Sequence, residues 1–293
     1  MGYTVKVPGS CGELIQGYLN SSNFLISCPI DIYSTVTVHK QNTKQIEIAD
    51  NKDKTKRALE CFLDYYQIKN TGLKVEINSN LPVLKGMGSS TADMSAAVIA
   101  AAKELNINLD LSLLQQILIE IEPSDATFLK GINLFDHIQG QKSRYLGDIK
   151  PIPLLVYDYG GKVDTLVFNQ RKDLSKLNKD KAKEIEKAYN YIKKGIKQDN
   201  LEMIGKGATI SSLANQTILP KRGLKELIQI LKKQPGFLGI NTAHSGTVIG
   251  IMVKEKRMFP SIIELLNEKT PKLKLLFQTQ IINGGYQIRK EEG

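Results

Sequence analysis

Apolar and polar residues alternate at the start of the chain. In Tyr3-Thr-Val-Lys-Val7, Tyr3, Val5 and Val7 share one face and Thr4 and Lys6 the other, which predicts a half-buried strand. Stretches of the same kind at 23–28, 34–39 and 45–48 predict three more strands. The period then changes. Between residues 54 and 66, Leu59, Phe62, Leu63 and Tyr66 recur at helical spacing. A strand follows over 72–78, then an alanine-rich helix over 92–105 and another helix over 111–121. The second half predicts a strand over 153–159, a Gly160-Gly161 turn, and a further strand reaching Val167. Helices are expected over about 176–194, 201–213 and 224–233. Strands are expected over 237–242 and 247–253, a helix near 260–266, and a closing strand near 275–278. Strands and helices mix without a regular βαβ repeat, so the expected fold class is α+β and not a doubly wound sheet. Two domains are expected, 1–150 and 151–293, divided where Pro151 and Pro153 precede a fresh strand.

Composition narrows the function. The 293 residues are 41% hydrophobic and 24% charged, as in a globular enzyme. No apolar run approaches the roughly 20 residues of a membrane span, and the N-terminus lacks the apolar core of a signal peptide. A cytoplasmic protein with no membrane partner is expected. Three cysteines (Cys11, Cys28, Cys61) and three histidines (His39, His137, His244) are scattered, with no metal-ligand spacing. The net charge of +10 comes largely from lysines between 162 and 197, interspersed with Asp173, Asp180, Glu184 and Glu186. No arginine-aromatic interleaving occurs there, so a solvated helix face is expected and no nucleic-acid partner. The sequence leaves the oligomeric state open, a homodimer included.

The most informative stretch is Leu81-Pro-Val-Leu-Lys-Gly-Met-Gly-Ser-Ser-Thr-Ala92. Gly86 and Gly88 permit a tight path and close approach of a ligand. Ser89, Ser90 and Thr91 stand at the start of a helix, whose first turn offers unpaired N–H groups and the positive dipole end. Phosphate binding follows, with hydroxyls available to a magnesium ion. The loop is neither a Walker A sequence nor G-x-G-x-x-G. A plain strand-to-helix connection with serine caps is the competing reading.

Pro82-x-x-x-Gly86-Met-Gly-Ser-Ser-Thr-Ala92 resembles the second motif of the GHMP kinases. Val7-Pro-Gly-Ser-Cys-Gly-Glu-Leu14 resembles the first motif, and Gly239-Ile-Asn-Thr-Ala-His-Ser-Gly-Thr247 the third, with fewer glycines than usual. Leu84 stands where the family carries a small residue. Pro8 to Gly17, Ser27 to Ser34, Glu122-Pro-Ser-Asp125 and Leu134-Phe-Asp-His137 are most similar to the branch that phosphorylates L-threonine for the cobalamin aminopropanol linker.

The resemblance implies an N-terminal part like ribosomal S5 domain 2 and a ferredoxin-like C-terminal part. It implies ATP and Mg2+ as cofactors and L-threonine as the small-molecule partner. Pro82, Lys85, Gly86, Met87, Gly88, Ser89, Ser90 and Thr91 would hold the nucleotide. Ser90 and Glu122 would hold the metal, with Glu120 as an alternative to Glu122. Asp125 would be the catalytic base and touch the substrate. In the first motif, Pro8-Gly9 is expected to turn Ser10, Cys11, Gly12 and Glu13 into a substrate-binding loop. Glu13 would meet the ammonium and Ser10 or backbone N–H groups the carboxylate, with Gln16, Asp31 and Tyr33 in support. An exposed loop acid is the other reading of Glu13. Direct in-line transfer needs no Cys11 thiolate, and His137 and His244 read as packing or surface residues. Phosphorylation of homoserine or another small alcohol, a non-catalytic nucleotide sensor, and RNA binding are the alternatives.

Overall fold

In the computed structural model, which describes residues 2–19 and 22–291, one sheet runs through the whole chain. Two long strands, β1 (Tyr3–Leu19) and β2 (Ser22–Gln41), form its spine as an antiparallel pair. After them come β3 (Ile46–Glu47), α1 (Asp53–Tyr65), β4 (Gly72–Ser79), α2 (Ser89–Glu104) and α3 (Leu111–Ile121). A small hairpin follows, β5 (Ile132–Phe135) and β6 (Ser143–Gly147), and then β7 (Ile152–Asp158). The chain continues as α4 (Thr165–Asn169), α5 (Leu174–Asp180), α6 (Ala182–Lys197), α7 (Leu201–Ala214) and α8 (Leu224–Leu231). It closes with β8 (Phe237–Thr242), β9 (Val248–Val253), α9 (Phe259–Lys269), β10 (Lys274–Ile281) and β11 (Gln287–Lys290).

The strand order is β11-β1-β8-β9-β7-β10-β2-β4-β3, and because β1 also pairs with β2 the pairings close a circuit. Every pairing on the path is antiparallel except β3–β4. The mixture of elements is α+β, as expected. The expected boundary at residue 150 lies between β6 and β7. The sheet crosses it, since β10 and β11 return to β2 and β1. One core joins Val5, Ile26 and Val38 to Ile152, Leu154 and Ile281. A second core contains Leu155, Ile249 and Ile251 of the sheet beneath Leu227 and Leu231 of α8 and Ile262 of α9.

Three local expectations fail for identifiable reasons. Pro8-Gly9 does not end the first strand. Register shifts between Pro8 and Ser10, Ser10 and Glu13, and Glu13 and Ile15 absorb the irregularity, so Ser10 to Glu13 lie in a bulged, buried strand. The expected strand reaching Val167 is instead α4, because Asp164 supplies N-terminal acceptors. Its Oδ1 accepts the Val167 N–H at 3.2 Å and its carbonyl the Phe168 N–H at 2.9 Å. The expected helix over 176–194 is two helices, α5 and α6, broken at Lys181, whose side chain turns inward and is 5% exposed. The hairpin β5–β6 and the edge strand β11 had no expectation; the short, exposed β6 and β11 lack an apolar face to read.

Helix α2 fixes the site from behind. Every residue from Thr91 to Ala102 is buried, and its alanines let the helix sit close against β1 and β2. Helix α7 sits equally close on β8, where a Cβ added at Gly239 would lie 2.1 Å from the Gly205 carbonyl oxygen. Backbone cannot retreat as a side chain can. Gly239→Ala is therefore expected to cost about 1–3 kcal/mol of stability, read from equilibrium urea unfolding. An unchanged midpoint would show that the contact is slack.

Candidate active site

Three backbone segments meet at the mouth of α2. The loop before it carries positive φ at Leu84 (59°), Gly86 (79°) and Gly88 (63°). Leu84, the unexpected residue, is thus a non-glycine in the left-handed region, and its side chain is exposed. Ser10 N–H donates to Met87 O and Gly12 N–H to Gly86 O, both at 2.9 Å, which ties the loop to β1. On the other side Thr247 N–H donates to Lys85 O at 2.9 Å. Gly88 is the N-cap residue and no side chain caps α2, so its first-turn N–H groups face the space ahead of the helix.

That space is a cavity of about 310 Å³, lined by Ser89, Ser90, Thr91, Glu122, Asp125 and Glu13 among others. Asp125 is partly open to it. Its Oδ1 accepts Ser27 Oγ–H at 2.9 Å and its Oδ2 accepts Ser10 Oγ–H at 3.2 Å, while its N–H donates to Thr91 Oγ1 at 3.3 Å. A Cβ at Gly88 would lie 2.8 Å from both Asp125 Oδ2 and Ser10 Oγ, so the glycine lets this carboxylate reach the phosphate loop. Desolvation, aided by the nearby Glu13 carboxylate, raises Asp125 to about 7. Burial likewise raises Glu13 to about 7, against the pull of a hydrogen bond from His244 and the charges of Lys221 and Lys181.

A helix N-terminus aimed into a cavity beside a protonatable carboxylate can receive a phosphorylated ligand and offer a proton acceptor. Comparison with known proteins gives the family. The sequence model of the GHMP kinases N terminal domain matches residues 53–131. The chain is 35% identical over 255 residues to the L-threonine kinase of Salmonella typhimurium, covering 86% of this chain and 83% of that one. It is 32% identical over 257 residues to the L-threonine kinase of Citrobacter freundii, covering 86% of each. The chain belongs to the GHMP kinase family. The structure of homoserine kinase from Cytophaga hutchinsonii superposes on it with a TM-score of 0.72, over 99% of this chain and 98% of that one, at 16% identity.

Within this GHMP kinase the other expected site residues divide. Gly86, Met87, Gly88, Ser89, Ser90, Thr91, Glu13, Gln16, Glu122 and Asp125 line the cavity. Ser10 reaches it through Asp125. Pro82 and Lys85 are not among its lining residues. Lys85 Nζ is held behind the loop by Asp158 at 2.7 Å and the Gly161 carbonyl at 2.6 Å. Cys11 and Gly12 also stand outside it. Cys11 is fully buried against Gly250, and burial pushes its thiol pKa far up, while a Cβ at Gly12 would strike Ala243. Asp31 is exposed and accepts from Gln280, and Tyr33 lies beside it, so neither borders the cavity. Glu120 lies on the exposed face of α3 near Cys61 and does not line the cavity.

Glu13 is no exposed loop acid. It is 6% exposed, and Oε2 accepts the His244 backbone N–H at 2.8 Å and lies 3.0 Å from His244 Nδ1. Nδ1 also lies 3.0 Å from the Thr242 carbonyl, so it faces acceptors and carries the proton, and Nε2 accepts from Ser211 Oγ at 3.0 Å. Burial keeps this imidazole neutral.

Lys52, Lys54 and Asp93 gave no sequence signal, and Ser27 lay in a matched motif without an expected role. Lys54 Nζ pairs with Glu122 Oε2 at 2.7 Å, and Lys52 Nζ with Asp93 Oδ2 at 2.6 Å. Ser27 Oγ both donates to Asp125 and accepts the Ala126 N–H at 3.1 Å.

Because Asp125 is raised on folding, the stability it confers is present below its unfolded pKa near 4 and is lost as pH rises toward 7. Asp125→Asn removes that penalty. At pH 8 the variant should be more stable than the parent by about 1–2 kcal/mol, the difference vanishing by pH 4, as thermal melts across that range would show. Equal loss of stability at both pH values would mean that the carboxylate is not desolvated.

Proposed function

We propose that the protein transfers the γ-phosphoryl group of ATP to the side-chain hydroxyl of L-threonine, giving O-phospho-L-threonine and ADP. The observation that carries the reading is Asp125, poised near neutrality and placed by Gly88 directly behind the phosphate loop of a chain one-third identical to two L-threonine kinases. Residues 1–150 supply the ATP-binding part and 151–293 the part that closes the site. The phosphorylated amino acid would feed the cobalamin aminopropanol linker, in the cytoplasm. Among the described residues no helix is long and apolar enough to cross a membrane.

The first-turn N–H groups of α2 and the hydroxyls of Ser89 and Ser90 bind the triphosphate oxygens. The threonine hydroxyl attacks the γ-phosphorus in line, the bond to the β,γ-bridging oxygen breaks, and ADP leaves. Asp125 takes the hydroxyl proton, with Ser10 and Ser27 keeping its two oxygens in place. Glu13 lines the cavity with Oε2 engaged by His244, which leaves Oε1 for the substrate ammonium. The chain also fits a magnesium ion. Glu122 Oε1 is buried without a hydrogen-bond partner, in a cavity that also presents Ser90. Among the described residues no group of three acidic, histidine or cysteine side chains converges, which suits an ion that takes much of its coordination from phosphates and water. When bound, such an ion neutralises phosphate charge.

Purified protein given ATP, magnesium and a panel of hydroxy amino acids is expected to favour L-threonine, and a tenfold preference for homoserine in kcat/KM would overturn the acceptor assignment. Asp125→Asn should lower kcat by about 10²–10⁴ with little change in KM for ATP. For the parent, kcat/KM for the acceptor should climb with pH and level off above about 7, as Asp125 deprotonates. Ser90→Ala should raise the magnesium-ATP concentration needed for half-maximal rate.

A further inference from the structure

A second cavity, of about 220 Å³, adjoins the first, and Gln16, His137 and Asn169 line both. An amino-acid acceptor brings a carboxylate as well as an ammonium. The hydroxyl first expected to meet it, Ser10 Oγ, is spent on Asp125. The basic groups around the second cavity therefore become the question.

Most are unavailable. The Arg171 guanidinium is committed to Asp173, through Nε at 3.1 Å and Nη2 at 2.7 Å, and to the Ile218 carbonyl at 2.9 Å. Lys172 is exposed. His137 and His244 are held neutral by burial, the first with its pKa lowered to about 4. Lys221, the other buried lysine, does not line the cavity. Its Nζ is taken by the carbonyls of Ala243 at 2.8 Å and Gly246 at 3.2 Å, where it holds the third-motif loop.

Lys181 differs from all of these. It lines the second cavity and is 5% exposed, placed there by the break between α5 and α6. Among the described residues its ammonium has one hydrogen-bond acceptor, the neutral Asn215 Oδ1 at 3.2 Å, and no carboxylate within 4.0 Å. Three donors serve one acceptor. A buried ammonium in this state lacks the compensation that burial of charge demands. Burial lowers its pKa to about 8, with Glu13 acting in the opposite sense, so it is largely charged at neutral pH.

We propose that Lys181 receives the α-carboxylate of the acceptor, so that Glu13 and Lys181 together select a zwitterion and exclude simple alcohols. This rests on the reading of the acceptor as a hydroxy amino acid. It goes further, because it names the group that rejects acceptors without a carboxylate.

The test compares L-threonine with L-threonine amide, which keeps the ammonium and hydroxyl but has no carboxylate charge, in parent, Lys181→Gln and Lys181→Arg proteins. The parent should favour the acid in kcat/KM by about 10- to 100-fold, the worth of a hydrogen bond to a charged group. Lys181→Gln should lose that preference through KM for the acid, with KM for ATP unchanged, and Lys181→Arg should recover part of it. A parent that uses acid and amide equally overturns the proposal without any variant. So does a Lys181→Gln protein, melting like the parent, that keeps the preference. Turnover of another carboxylate-bearing alcohol in place of threonine, with the same acid-over-amide preference and the same loss in Lys181→Gln, would sink the threonine assignment and leave Lys181 in its role.

Discussion

Backbone lies directly on backbone where the phosphate loop is held. A Cβ added at Gly246 would be 2.5 Å from Gly86 Cα, one at Gly12 would be 2.4 Å from Ala243 Cα, and one at Gly86 would be 2.5 Å from the Ala243 methyl. These contacts stack three segments that are far apart in sequence, residues 9–13, 84–88 and 243–247. The hydrogen bonds from Ser10, Gly12 and Thr247 then lock the stack in register. With the loop pinned on both sides, the N–H groups of α2 point at fixed positions, and a site that binds by pre-set dipoles needs that rigidity. Helix α2 can hold its end of the arrangement because it is buried along most of its length.

The same stacking concentrates charge. Pinning β1 against the 243–247 turn buries Glu13 beside His244 and brings it near Asp125 on one side and Lys181 and Lys221 on the other. Burial desolvates Asp125 and the Glu13 charge adds to that, so Asp125 stays protonatable near neutrality. The lysines limit how far Glu13 rises. The carboxylates proposed as acid–base residue and ammonium acceptor thus share one electrostatic balance, and the energetic cost is offset by the large apolar core beneath the sheet.

What the sequence disclosed follows chain locality. The glycine-serine loop, α2, α3 and the Glu122–Asp125 pair are contiguous signals, each with its own turn or cap chemistry, and they appear where expected. Lys54 meets Glu122 across 68 residues, and Ser27, though in a matched motif, meets Asp125 across 98, so no local pattern announces either pairing. Lys85 is placed with the nucleotide residues by the resemblance alone, and nothing local shows where its side chain goes. Its chain runs to Asp158 and the Gly160-Gly161 turn, and so braces the loop from behind. At Pro8-Gly9 a turn signal was absorbed by strand bulges, since pairing with β2 outweighed the missing proline N–H.

The two buried lysines show why composition alone misjudged the basic residues of the second half. Most lysines between 162 and 197 are solvated, in keeping with their acidic neighbours. Lys181 sits among them with nothing local to distinguish it. Its inward turn comes from the helix break, and that break is visible only once α6 is packed on α7 and β1. Lys221 spends its charge on carbonyl oxygens and shapes the loop that presses on Gly86. Lys181 keeps most of its donors, in a cavity contiguous with the phosphate site. One residue type, equally buried, supplies structure in one place and an anion receptor in the other, and the difference lies in whether backbone acceptors reach the ammonium.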